Sequence, residues 1–228
     1  MKIKELVAFV LAVCMIFCFA ACGGGDVSTS AEQEATGGPE IIDSGYDVQA
    51  SDGDVYIYWG AKVKNTNDNS AYEFYTITIT AKDADGNVVA TEDQTMNVIQ
   101  PGEEQAAGFV FDCNGEEPDQ VEFTIDEGDE VSPDDSAIKS SDIEITGTNE
   151  RTDEWGETAF TGTIKNNSEK DTDTIGVVLL LYKDGKIVYG DTTYVDNVKA
   201  GGEKALDMSE YEVPEHDSYE LYGIDWGF

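Results

Sequence analysis

Enzymatic chemistry needs nucleophiles, imidazoles or carboxylates at workable spacing, and this chain supplies them unevenly. Of its four cysteines, Cys14, Cys18 and Cys22 lie within the first 22 residues, and Cys113 stands alone beyond them. A nucleophilic thiol wants a neighbouring base and a lowered pKa. The single histidine, His216, is about a hundred residues away, while Asp112 and Glu116 would raise the thiol pKa. Cys113 is therefore expected as a buried strand cysteine. His216, between Glu215 and Asp217, is expected as an exposed turn residue. The sequence holds no G-x-S-x-G, no H-E-x-x-H and no glycine-rich phosphate loop, and one histidine cannot complete the usual zinc sets. No catalytic residue is assigned, and the chain is expected not to be an enzyme.

Carboxylates are plentiful, and their abundance makes any chosen pair uninformative for glycoside cleavage. Asp83-Ala84-Asp85-Gly86-Asn87 has the start of a calcium loop, but Gln94 occupies the place of the closing glutamate, so a turn is expected. Asp52 with Asp54, and Asp171 with Asp173, each place two carboxylates in an expected loop. Calcium takes six to eight oxygens, so these four residues are carried as weak calcium candidates, and no cofactor is otherwise expected. Aromatic residues offer a different chemistry. Tyr56, Tyr58, Tyr72 and Phe74 are expected to project from adjacent strands, opposite the face of Trp59 and Tyr75. On a wet sheet face such a row would bind sugar or peptide, and in a core it would pack. Tyr56 and Tyr58 are the ligand-binding candidates.

The first residues supply an address. Lys2 and Lys4 precede sixteen residues, Leu6 to Ala21, without a charge. Such a run enters the bilayer core with the lysines held on the cytoplasmic side, and it is short of the roughly 20 residues of a permanent span. Cys22-Gly23-Gly24-Gly25 follows. Phe19-Ala20-Ala21-Cys22 resembles the lipobox of bacterial lipoproteins, with Phe19 where leucine is usual. The resemblance implies a signal peptide over residues 1–21, its removal, and a thioether-linked diacylglycerol on Cys22, with a further acyl chain such as palmitate. Two or three chains anchor stably because each buried methylene contributes ~0.8 kcal/mol. The expected location is the extracytoplasmic face of the cell membrane.

Cleavage would leave 11 basic and 47 acidic residues, a formal charge of about −36, with Arg151 the only arginine. Nucleic acid is excluded as a partner, since a polyanion requires clustered lysine and arginine to release its counterions. Cationic ligands, metal ions or another envelope protein with a basic surface are compatible. Cys113 would have no partner for an intramolecular disulfide.

Residues 22–45 lack periodicity and are rich in glycine, serine and acids, which reads as a flexible tether with a reach of roughly 25 Å. Strands dominate beyond it. Val55, Ile57, Trp59, Ala61 and Val63 alternate with Tyr56, Tyr58, Gly60 and Lys62. Tyr75, Ile77, Ile79 and Ala81 alternate with Thr76, Thr78 and Thr80. The pattern recurs about a hundred residues on. Ala61-Lys62-Val63-Lys64-Asn65 answers to Gly162-Thr163-Ile164-Lys165-Asn166, Asp85-Gly86 to Asp184-Gly185, and Pro101-Gly102-Glu103 to Gly201-Gly202-Glu203. Near-constant spacing over three marks argues for a duplication. The Asp-Gly pairs suit tight hairpins, which need positive φ.

The order of strand, asparagine turn, long apolar strand, Asp-Gly hairpin and Gly-Glu turn resembles the FxLYD domain of bacterial surface lipoproteins. Leu179-Leu180-Leu181-Tyr182-Lys183-Asp184-Gly185 sits at the naming motif, with Leu179 for the phenylalanine and Lys183 for the aspartate. Ile77-Thr78-Ile79-Thr80-Ala81 is the first half's counterpart. The resemblance covers residues 46–226. It implies an immunoglobulin-like β-sandwich in an extracytoplasmic setting and carries over no ligand residue. The expected fold class is all-β. Two tandem immunoglobulin-like sandwiches, 46–127 and 139–228, are joined by an acidic linker, 128–138, with a single larger sandwich of both halves as the alternative. The expected function is a surface interaction or binding module. The alternatives are an accessory subunit of an envelope transporter or enzyme complex, or a calcium-stabilised structural spacer.

Overall fold

A computed structural model of the chain describes residues 37–226. The signal peptide, most of the tether and Cys22 lie outside the described residues. The fold is all-β, and among the described residues the only helical element is one 3₁₀ turn, Ser140–Asp142. No helix there is long and apolar enough to cross a membrane.

The first half contains β1 (Pro39–Ser51), β2 (Asp54–Asn65), β3 (Ala71–Glu73), β4 (Thr76–Lys82), β5 (Val88–Thr95), β6 (Val98–Ile99), β7 (Glu104–Asp112), β8 (Gln120–Asp126) and β9 (Asp129–Val131). The second contains β10 (Ile143–Thr152), β11 (Glu157–Asn166), β12 (Thr172–Lys183), β13 (Lys186–Val198), β14 (Glu203–Tyr211) and β15 (Ser218–Asp225). Each half builds two three-stranded antiparallel sheets in the same order. These are β1-β2-β7 and β5-β4-β8 in the first, and β10-β11-β14 and β13-β12-β15 in the second. A small β6-β3-β9 sheet is added to the first half.

The asparagines that mark the repeat have a structural cause. Asn65 is fully buried at the end of β2, where its Nδ2 donates to the carbonyls of Ser70 (2.8 Å) and Gln100 (3.1 Å), while its Oδ1 accepts the N–H of Asn67. Asn166 does the same work at the end of β11, with Lys170 O at 2.7 Å and Ser168 N at 3.0 Å. Buried carbonyls left by an irregular turn need such a donor. Of the two expected Asp-Gly hairpins, Asp184-Gly185 has positive φ at both residues and joins directly paired strands, whereas Asp85-Gly86 has it only at Gly86, in a longer loop between Lys82 and Val88; Asp52-Gly53 forms a second tight hairpin.

The inward residues of β2, namely Val55, Ile57, Trp59, Ala61 and Val63, meet Ile77, Ile79 and Ala81 of β4 in one core. The same core takes in Val178, Leu180, Ile187 and Ile224 from the second half. The outer face of β1-β2-β7 therefore lies on β13-β12-β15, whose other face meets β10-β11-β14 through Ile175, Val177, Leu179 and Leu181. Four sheets are stacked, and the described residues 37–226 belong to one compact unit. β12 is buried on both faces from Ile175 to Leu181, and its sequence is a continuous apolar run. β4 has one wet face and alternates with threonine.

The contact between the halves is made close by glycines. A Cβ on Gly190 would lie 2.5 Å from the carbonyl oxygen of Trp59, and one on Gly108 would lie 2.8 Å from the backbone nitrogen of Asp191. Gly45 and Gly60 face Ile187 across the same seam. Two segments depart from expectation. Residues 39–45 belong to β1 rather than to a tether ending at 45, because they pair with β2 and Gly45 lets β1 approach the second half. The 128–138 stretch holds β9, which pairs with β3 and draws Asp134 into a hydrogen bond with Gln100 at 3.1 Å.

Candidate functional site

Cys113 is fully buried, and its N–H donates to Val55 O at 2.7 Å. Burial, with Asp112 beside it, pushes the thiol pKa up, so no nucleophile is prepared there. The Asp83 carboxylate accepts the backbone N–H groups of Asp85 and Asn87 at 2.9 and 2.8 Å, which closes the loop on itself. Asp52 sits in the β1–β2 hairpin and Asp54 opens β2. Asp171 is held by Lys199 Nζ at 2.9 Å and by the N–H of Ala200 at 3.0 Å. The latter contact and Lys199 lower its pKa. Among the described residues no three acidic, histidine or cysteine side chains are placed to hold a metal.

The aromatic row does not form one face. Tyr72 is buried, with its hydroxyl donating to Gly37 O at 3.0 Å, and Phe74 is exposed at a backbone φ of 57°. The short β3 ends at Glu73, and the left-handed turn at Phe74 breaks the period of two. Tyr56 and Tyr58 do share a face of β2, the one turned to the second half. Tyr56 stays 37% exposed, while Tyr58 stacks on Tyr189 with ring centroids 4.8 Å apart. The Tyr189 hydroxyl donates to Glu210 at 2.9 Å, and Glu210 lies beside Asp191, whose Oδ1 accepts the Thr192 N–H at 2.7 Å. Burial and then the Asp191 charge push Glu210 up to about 7, and burial raises Asp191 as well. Two neighbouring carboxyls here are both pushed toward their protonated forms, beside a pair of stacked tyrosines.

Glu210 is paired in register with Thr158, so both side chains lie on one face of the β11–β14 ladder. Thr158 lines a cleft of about 580 Å³ at the open end of the second half, walled by Thr152, Trp155, Glu212, Val213, Pro214 and His216. The Thr152 and Thr158 hydroxyls are 2.9 Å apart. Trp155 stands on the β10–β11 hairpin and is 81% exposed. Its N–H and that of Glu157 both donate to Asp153 Oδ1, at 2.7 and 3.1 Å, which fixes the turn. Tyr211, 62% exposed, donates to Glu157 at 2.7 Å on the same hairpin.

His216 departs from the exposed turn expected of it. Its side chain is 9% exposed, with Nε2 3.2 Å from Glu150 and Nδ1 2.9 Å from Pro214 O. The cause is the 212–217 segment, which turns back at positive φ on Glu212 and is tied down by the Asp217 N–H to Tyr182 O at 2.7 Å. The sequence reading passed over Trp155, although a tryptophan between Asp153 and Gly156 in a hairpin has no core to enter. It also passed over Asp191 and Glu210, which nothing distinguishes from the other acids.

No protein-family model and no curated protein matches the chain. Among solved structures, a red sea bream transglutaminase is similar over 82% of this chain and 30% of its own, at 7% identity and a TM-score of 0.24. A β-glucuronidase of glycoside hydrolase family 2 is similar over 80% of this chain and 21% of its own, at 10% identity and a TM-score of 0.22. The chain thus spans under a third of either protein's length.

Proposed function

We propose that this chain is a non-catalytic interaction module, carried on the outer face of a cell membrane by lipid on Cys22. The observation that carries the interaction reading is Trp155, a large aromatic held out at 81% exposure over a cleft on an otherwise acidic surface. A rigid aromatic beside a recess is the kind of group that anchors partners, and it has no folding role when exposed. The anchor reading is supported by the lipobox-like Phe19-Ala20-Ala21-Cys22 after an apolar run. Among the described residues Cys113 is buried with its thiol pKa pushed up, which fits a binding role better than a nucleophilic one.

The anchor is tested by intact mass of the membrane-extracted protein, which should show loss of residues 1–21 and added acyl chains. Cys22→Ala should leave uncleaved precursor, and a normal mature band in that variant sinks the anchor. The module is tested by cross-linking in intact cells, followed by purification. A defined partner lost with Trp155→Ala supports it, and cross-linked products unchanged by that variant reject the site.

A further inference from the structure

We infer that the Trp155 cleft is a docking site for a cationic segment of a partner protein, one presenting lysine or arginine side chains. The inference rests on the interaction-module reading and adds the chemistry of the partner. An ammonium or guanidinium group is attracted to the face of an exposed indole, and tryptophan is the strongest of the aromatic side chains in this respect. The Trp155 hairpin also carries Asp153, Glu154 and Glu157, and the facing wall carries Glu212 and Glu215. Two cations lie nearby. Lys183 is paired with Glu215 at 2.5 Å, and Arg151 lies on β10. They leave an excess of negative charge around the cleft. His216 lies against Glu150 and the Pro214 carbonyl at the edge of the same cleft.

The apolar part of the cleft lining suits the stem of such a side chain. Val213 and Pro214 add apolar surface to a lining that also holds Trp155, Glu212 and Glu215, and long basic side chains bury their methylenes while the charged head stays wet. The formal charge of −35 would draw a basic segment from a distance, and the cleft would hold it. An uncharged sugar would use the indole but not the carboxylates. An anionic membrane surface would be repelled by both walls.

The test is titration of the full membrane-extracted chain, in detergent, with an octalysine peptide at 50 and 300 mM salt, followed by tryptophan fluorescence and calorimetry. Binding is expected, with Trp155→Ala weakening it at least fivefold and Glu212→Gln with Glu215→Gln weakening it similarly. Asp85→Asn with Glu92→Gln, two exposed acids of the first half, should leave it within twofold, because they change net charge equally but lie away from the cleft. Thermal melts of each variant establish that it is folded, and the Glu212/Glu215 variant keeps the test decisive if Trp155→Ala is not. Equal losses in both acidic pairs would reduce the effect to net charge and overturn the docking site. Chitohexaose changing Trp155 fluorescence while octalysine does not would assign a sugar instead. Absence of octalysine binding alongside a Trp155-dependent cross-linked partner rejects the cationic class but keeps the module. Octalysine binding without any such partner rejects the module reading and the partner inferred here.

Discussion

At the scale of the residue, the acids of this chain differ far more than their number suggests. Most are solvated, but Glu210 is pressed between Asp191 and the Tyr189 hydroxyl and holds its proton to about pH 7. Its folded pKa lies above the ordinary value of 4.5, so the native state binds more protons than the unfolded state between about pH 4.5 and 7. The sign follows: this contribution is fully present below pH 4.5 and is lost as pH rises through 7. The whole shift corresponds to about 3 kcal/mol, and partial solvent access reduces it to roughly 1–2. Denaturant midpoints of the wild type should therefore fall, relative to Glu210→Gln, as pH goes from 4.5 to 7.5. Parallel pH curves for the two proteins contradict the raised pKa of Glu210. Asn65 makes a second case. Asn65→Ala removes the donor from buried carbonyls and should cost about 2–4 kcal/mol. Asn65→Asp, although isosteric, should cost more because it sets a charge against those same carbonyls. Urea melts that rank the two the other way would refute this account.

At the scale of the element, the informative contrast is between β4 and β12, which occupy equivalent places in the two halves. Ile77-Thr78-Ile79-Thr80 alternates because one face is wet, whereas Val177-Val178-Leu179-Leu180-Leu181 does not because both faces are covered. The strands, the recurring strand order and the Asp184-Gly185 hairpin were legible in the sequence because each rests on a pattern of period or turn chemistry. The apolar run of β12 stood out only as a long apolar strand, and periodicity alone names no covering partner. The glycine seam was not legible, since Gly45, Gly60, Gly108 and Gly190 are far apart in the chain and meet only in the fold. The candidate site was less legible still. Tyr58 was singled out, but its partners Tyr189, Glu210 and Asp191 come from the other half. Gly190→Ala tests the seam directly. Its Cβ would meet backbone on the facing strand, which cannot swing aside as a side chain can. A loss of about 2–3 kcal/mol is expected, a fall in Tm of roughly 5–10 °C. A Tm within a degree of wild type would show that the sheets have room to part.

At the scale of the molecule, the seam decides whether the halves behave as independent bodies. Val178, Leu180, Ile187 and Ile224 belong to the second half by sequence and to the first half's core by packing. Burying four such side chains contributes at most roughly 6–12 kcal/mol, comparable with the whole stability of an ordinary domain. A polar clasp lies beside them. Lys62 reaches Glu220 at 3.5 Å and sits 5.2 Å over the Tyr222 ring, and Tyr182 donates to the same carboxylate at 2.8 Å. Burial alone would raise Glu220, but the hydrogen bonds from Tyr222 and Tyr182 outweigh it and hold its pKa below the usual value. Separation would expose the apolar face of β12 and leave this carboxylate without its donors, so neither half should persist once the other unfolds. Calorimetry should therefore give one transition, with calorimetric and van't Hoff enthalpies in agreement. Lys62→Met with Gly190→Ala should lower that transition without splitting it, since the apolar contact still couples the halves. Two resolved transitions in the wild type, or fragments cut near residues 128–138 that each melt cooperatively alone, would mean that the seam joins two bodies able to stand apart.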